Sequence, residues 1–140
     1  MPDFRFYHPI EVRYGDLDPQ GHLNNAKYLT YFEQARMQYF IELGLFSTER
    51  SFMEIGVILA EVRVTFHQPV HFGTALKVGV HTSTLGNKSM RMEQALLNAE
   101  THAQLASGQV VLVAYDYYSG KTTPIPDTWR EKIARYENGE

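Results

Sequence analysis

Between Tyr14 and Tyr28 the chain gathers groups that can do acyl chemistry: two carboxylates, Asp16 and Asp18, an imidazole, His22, and two amides, Asn24 and Asn25. No other stretch crowds these types so closely. A carboxylate held in a loop can act as a nucleophile or as a base for water. If a helix starts at Asn24 or Asn25, its free first-turn amides and the positive end of its dipole favour an oxyanion or a polarised carbonyl. Either asparagine is a natural N-cap. Asp, Asn, Gly and Pro are also what any loop before a helix contains. Density, not composition, marks the segment.

The neighbouring periodicities show what must hold this loop. Residues 6–14 alternate, with Phe6, His8, Ile10, Val12 and Tyr14 on one face, as a half-buried strand does. From Asn25 the period turns helical: Tyr28, Leu29, Phe32, Ala35, Arg36, Tyr39, Phe40 and Leu43 form a stripe, and Gly44 is placed to end it. That predicts a helix of about eighteen residues. Residues 45–56 read as irregular or briefly helical. Next, Ile58, Ala60, Val62, Val64 and Phe66 are expected on one strand face, with Pro69 stopping the strand or confining it to an edge. Leu76, Val78 and Val80 alternate in a further strand, and Gly86-Asn87 signals a hairpin into a strand from Lys88 to about Asn98. A last strand, about 104–118, is apolar on both faces from Val110 to Tyr115, which predicts a central, covered position. Thr128 to Glu131 reads as a capping box opening a short final helix.

The resulting class is α+β, with an antiparallel sheet wrapping one long helix. With 140 residues the chain is read as one domain over 1–140. Two open sheet edges and a surplus of aromatics predict dimerisation by edge pairing.

Composition narrows the function. Absent cysteine excludes a disulfide scaffold, a thiolate zinc site and a cysteine nucleophile. Net charge is −3 with scattered Lys and Arg, which argues against nucleic acid. The longest apolar run, Val110 to Tyr115, is far short of a membrane span, and the N-terminus lacks an apolar signal core. A cytoplasmic location is expected. His67 and His71 would stand about 13 Å apart on a strand, too far for one zinc, so no metal site is read. Glu33 and Arg36 lie one helical turn apart, and Arg36 on the buried stripe is expected to anchor a loop carboxylate or a partner chain.

Residues 14–36, Tyr-Gly-Asp-Leu-Asp-Pro-Gln-Gly-His-Leu-Asn-Asn-Ala-Lys-Tyr-Leu-Thr-Tyr-Phe-Glu-Gln-Ala-Arg, resemble the hotdog-fold acyl-CoA thioesterases of the 4-hydroxybenzoyl-CoA thioesterase family. They are also similar to the Asp-x-x-x-His-x-Asn-Asn-x-x-Tyr segment of acyl-acyl-carrier-protein thioesterases. The resemblance implies a five-stranded antiparallel sheet around the helix, a homodimer or homotetramer, and active sites at the subunit interface. It assigns catalysis to Asp18, carbonyl polarisation to the Asn25 backbone N–H, and a structural role to Asp16. His22 matches the carrier-protein branch and is counted with the catalytic set. Gln20 stands where plant relatives carry a functional Asn. Lys88, beside Ser89, matches a basic residue near the CoA phosphates. No cofactor is implied, since CoA arrives as part of the substrate, an acyl-CoA or acyl-carrier-protein thioester.

Three other functions compete. A dehydratase would use His22 with Asp18, crowded into one loop. A non-catalytic acyl-CoA-binding module would share the fold. A phosphotransferase built on Asp16-x-Asp18 is rejected, because that motif needs an apolar parallel strand before it.

Overall fold

The computed structural model describes residues 4–46 and 56–140. In chain order these form β1 (Phe6–Ile10), a 3-10 turn (Tyr14–Asp16), α1 (Asn25–Glu42), β2 (Gly56–Phe66), β3 (Leu76–Leu85), β4 (Ser89–Asn98), β5 (Gln104–Asp116), the two-residue β6 (Lys121–Thr122) and α2 (Asp127–Glu137). The strands make one antiparallel sheet in the order β1-β3-β4-β5-β2, with β6 added beside β5. This is an α+β architecture. Of the region read as irregular, residues 47–55 lie outside the described residues.

Local chemistry sets the ends of α1. The Asn24 side chain accepts the Ala26 N–H at 2.9 Å, and Gly44 at φ +80° takes the left-handed conformation that stops the helix. Its apolar face packs on the inner face of the sheet, centred on Phe32, Ala35 and Tyr39, all fully buried. At the contact with β5, a Cβ on Gly108 would lie 2.9 Å from the Phe32 ring. Only glycine lets the helix lie this close. The stripe is turned slightly from the sequence expectation: Tyr31 is buried, whereas Leu29 is exposed. Arg36 is buried too, and within the chain its partner is an amide, not the loop carboxylate that was expected. It donates to Gln94 Oε1 on β4 at 3.1 Å, and Gln94 Nε2 donates to the Phe32 carbonyl at 2.9 Å. One amide side chain therefore ties the helix to the sheet.

Several expectations are corrected. β1 ends at Ile10, and Tyr14 stands exposed in the 3-10 turn because the chain bends there to bury Asp16. The register of β2 against β5 shifts between Leu59 and Glu61, so a bulge at Ala60 flips the phase. Ile58, paired with Val113, therefore faces opposite to Val62, Val64 and Phe66. β5 is central, between β4 and β2, but covered on one side only. Val110, Leu112 and Ala114 are buried, while Val111, Val113 and Tyr115 are half-exposed. The hairpin turn falls on Asn87-Lys88, one residue late, since Gly86 N–H donates to the Ser89 carbonyl. No capping box opens α2: Pro126 is its N-cap, and Thr128 lies inside the helix without a capping bond. Proline's fixed φ starts this helix instead.

Candidate active site

The loop between the 3-10 turn and α1 is a small, self-bonded structure. Leu17 and Leu23 form an isolated bridge, Asp18 N–H donates to the His22 carbonyl at 2.8 Å, and Gly21, at φ +82°, donates back to the Asp18 carbonyl at 3.0 Å. Inside this ring Asp18 Oδ1 accepts the backbone N–H groups of Gln20 (2.9 Å) and His22 (3.1 Å). Two amides on one oxygen fix the carboxylate's orientation. Oδ2 has no hydrogen-bond partner among the described residues. The loop is pinned to the segment after β2, where Leu23 N–H donates to the Val70 carbonyl at 2.8 Å and His22 bridges to His71. The two imidazoles meet edge to face, centroids 4.9 Å apart.

Asp16 is built differently. It is 1% exposed. Its carboxylate takes Arg13 Nη2 at 3.0 Å, Arg13 Nε at 3.2 Å and the Tyr31 hydroxyl at 2.6 Å, with Lys27 Nζ at 3.9 Å. Burial pushes its pKa up, but the hydrogen bonds from Arg13 and Tyr31 and the Arg13 charge outweigh that and hold it at about 2. Its backbone carbonyl also accepts Asn24 N–H at 2.9 Å, which sets the helix start. Asp16 is a structural post.

The helix start leaves one amide for chemistry. Asn24 takes the Ala26 N–H on its side chain and the Lys27 N–H on its carbonyl, both at 2.9 Å. The Asn25 N–H has no acceptor among the described residues. Asp18, His22 and Asn25 line one cleft of about 380 Å³, closed by Tyr28, Phe66 and His67. Tyr28 and Phe66 form an edge-to-face aromatic wall, centroids 4.8 Å apart. Burial, and then the Asp18 charge, raise the Tyr28 pKa, so the phenol stays protonated.

Lys88 and Ser89 are not brought to this cleft. They sit at the β3–β4 turn, where Lys88 Nζ donates to Thr122 Oγ1 at 3.2 Å. Phe66 pairs with Ala106 and Ser89 with Val113, so the two ends are about 23 Å apart along β5. Sequence reasoning missed Tyr28, Phe66 and His67 as cleft walls. The Tyr28 position within the Asn-Asn-x-x-Tyr spacing was the available signal, but a ring on the apolar stripe reads as core. Among the described residues no group of three or more His, Cys, Asp or Glu side chains is placed to hold a metal ion.

A long helix lying in an antiparallel sheet, with a loop carboxylate and an uncapped amide at the helix start, defines a hotdog-type thioesterase domain. The chain belongs to the thioesterase-like superfamily, whose family model matches residues 12–133. A thioesterase from Thermus thermophilus, solved in complex with coenzyme A and zinc, is 33% identical over the full length of both chains, with a TM-score of 0.84. The uncharacterized protein YsmA of Bacillus subtilis is 28% identical over 93% of this chain and 86% of its own. The acyl-CoA thioester hydrolase YbgC of Escherichia coli O6:H1 is 24% identical over 86% of this chain and 90% of its own. The protein is accordingly a thioester hydrolase in class.

Proposed function

We propose that the protein hydrolyses an acyl-CoA thioester, with Asp18 supplying the attacking oxygen or activating the attacking water. One observation carries this reading. Asp18 is locked by two backbone amides on Oδ1 and keeps Oδ2 free, in the cleft that also holds the unpaired Asn25 N–H. Attack forms a C–O bond and pushes the carbonyl π pair onto oxygen, where the Asn25 amide meets it. Collapse returns that pair and breaks the C–S bond. The thiolate departs without a strong acid; where Asp18 attacked, water then cleaves the acyl–Asp18 anhydride to the free acid, and where water attacked, Asp18 takes its proton. The names of the relatives, acyl-CoA thioester hydrolase and a thioesterase holding coenzyme A, support CoA as the leaving group. An acyl-carrier-protein thioester is the alternative donor. The cytoplasm, where CoA thioesters are formed and consumed, is the setting that goes with this reading.

The active unit is a homodimer joined along β2. That strand pairs with β5 alone, and Leu59 and Phe66 on its inner face are exposed, as an uncovered edge would leave them. An isologous antiparallel β2–β2 contact would set the Phe66 end of one strand against the Gly56 end of the other. Ile58 pairs with Val113, and Val113 with Ser89. The partner subunit's Lys88 and Ser89 would then stand two strand spacings, about 10 Å, from that junction. Both residues are useful in this arrangement only across the interface, where they meet the CoA phosphates.

Release of free thiol, followed across a panel of acyl-CoA and acyl-carrier-protein thioesters, tests the function. Turnover that disappears in Asp18→Asn is the expected result. Tight acyl-CoA binding without thiol release, by the wild-type protein, would replace the enzyme with a non-catalytic acyl-CoA-binding module. Light scattering at micromolar concentration tests the dimer, and a monomeric particle would remove it.

A further inference from the structure

Three tyrosines of α1 are buried, and their hydroxyls have different fates. Tyr31 donates to Asp16 at 2.6 Å. Tyr39 donates to Glu137 Oε2 at 2.6 Å and lies 2.9 Å from Thr82 Oγ1. Tyr28, only 3% exposed, has no hydrogen-bond partner for its hydroxyl among the described residues, and it lines the Asp18 cleft. Buried phenols find partners as a rule, because an unsatisfied one costs free energy. Among the described residues no buried side-chain oxygen lacks a partner, so at Tyr28 the ring is buried while the hydroxyl stays open to the cleft, where a ligand can take it.

The helix start is also short of one donor. A carbonyl oxygen becoming an oxyanion accepts two or more hydrogen bonds, and pairs of donors are the usual arrangement. Asn24 has already taken the Ala26 and Lys27 amides, so the backbone offers the Asn25 N–H alone. Tyr28 is three residues on, on the same helix face. Helical side chains lean back toward the N-terminus, over the preceding turn. That lean carries the Tyr28 ring over the turn that begins at Asn25, and Phe66, packed against the ring at 85°, holds it there.

We infer that the Tyr28 hydroxyl is the second oxyanion donor, completing with the Asn25 N–H the site that receives the thioester carbonyl oxygen. The inference rests on the thioesterase reading above. As the C–O bond forms, the π pair moves to the carbonyl oxygen and both donors shorten onto it. When the C–S bond breaks, the pair returns and Tyr28 keeps its proton throughout. The hydroxyl donates a hydrogen bond and transfers nothing. Burial, and then the neighbouring Asp18 charge, disfavour tyrosinate, which keeps the donor in its working form.

The test is Tyr28→Phe, which removes one oxygen and leaves the ring and its contact with Phe66. With the best acyl-CoA substrate, kcat should fall about 10²–10³-fold, the loss typical of one oxyanion-hole donor, while KM stays within about threefold. The thermal unfolding midpoint should not fall, because the hydroxyl has no partner in the protein to lose. Replacement of Tyr28 by 3-fluorotyrosine keeps ring and donor and should retain turnover. A rise in KM at unchanged kcat would make the hydroxyl a ground-state contact to the acyl group and overturn the assignment. So would wild-type turnover, or a lost kcat that tracks a lowered unfolding midpoint. Absence of thiol release by the wild-type protein itself would instead overturn the thioesterase reading.

Discussion

Two carboxylates two residues apart, each beside a tyrosine of the same helix, are wired in opposite ways. At the Asp16 corner both oxygens are occupied, by Arg13 and Tyr31, with Lys27 close by. In the Asp18 cleft one oxygen is held by backbone amides and the other is left open, as is the Tyr28 hydroxyl. Burial differs in the same sense: Asp16 is sealed and Asp18 is half-buried. The residue types are alike, so identity does not separate scaffold from chemistry. Saturation does. A carboxylate with both oxygens engaged contributes to stability, and one that is oriented but half-engaged still has an oxygen to offer a ligand.

The largest expected effect tests the open side. Asp18→Asn keeps the Oδ1 acceptor for Gln20 and His22 but removes the charge, so the loop should fold as before. Turnover should drop at least ~10²-fold, the lower end for a positioned base, and further if Asp18 is a nucleophile. Unchanged kcat would erase the distinction between the two aspartates. The closed side should respond in stability instead. Asp16→Asn disrupts several charge-assisted bonds and should cost roughly 1.5–3 kcal/mol of unfolding free energy, with modest change in kcat. Asp16 titrates at about 2 in the folded chain, against an ordinary 3.8. Because the folded value is depressed, its contribution is complete above about pH 4 and is lost as pH falls through 2. Wild-type and Asp16→Asn unfolding midpoints, measured from pH 7 to 2, should therefore converge only at the acid end. Tyr31→Phe should reproduce a smaller part of that loss, about 1–2 kcal/mol, and leave kcat alone. This is the reverse of what is expected at Tyr28.

How far the sequence carried this contrast follows from what each feature depends on. The helix was readable because its signals are local: apolar spacing, an Asn before the first turn and a Gly after the last. The β4 and β5 strands were readable for the same reason. The bulge at Ala60 was not, since alternation of side chains continues through Ile58, Ala60 and Val62 while the backbone slips by one residue. The cap of α2 was misread because Thr128 and Glu131 have capping-box spacing, yet Pro126 starts the helix two residues earlier. Asp18, His22 and Asn25 could be grouped because they share one loop. The stripe held Tyr28 and left out Tyr31, yet both are buried, and only the folded loop decides which hydroxyl meets a carboxylate. Lys88 was placed beside the substrate by resemblance, and the roughly 23 Å that separates it from the cleft within one chain depends on strand register, which local sequence does not carry.

The smallest effect concerns that distance. Lys88 is exposed, and an exposed ammonium near a phosphate is worth about 0.5–1 kcal/mol at low salt and less at high salt. Lys88→Ala should thus raise KM for an acyl-CoA about two- to fivefold at low ionic strength, leave kcat unchanged, and lose its effect as salt is added. In the proposed dimer the residue serves the other subunit's cleft, which a mixed dimer can read out. Combine Asp18→Asn and Lys88→Ala subunits, and isolate the heterodimer with two affinity tags. One cleft then carries both substitutions, Asp18→Asn from its own loop and Lys88→Ala from across the interface, and is inactive. The other pairs an unaltered Asp18 with the partner's Lys88, also unaltered, so the remaining activity should show wild-type KM. If Lys88 instead acts within its own chain, the active cleft belongs to the subunit that carries Lys88→Ala, and the raised KM persists. The second outcome would leave Asp18 and Asn25 where they are, and would require the β4 turn to reach them without a partner.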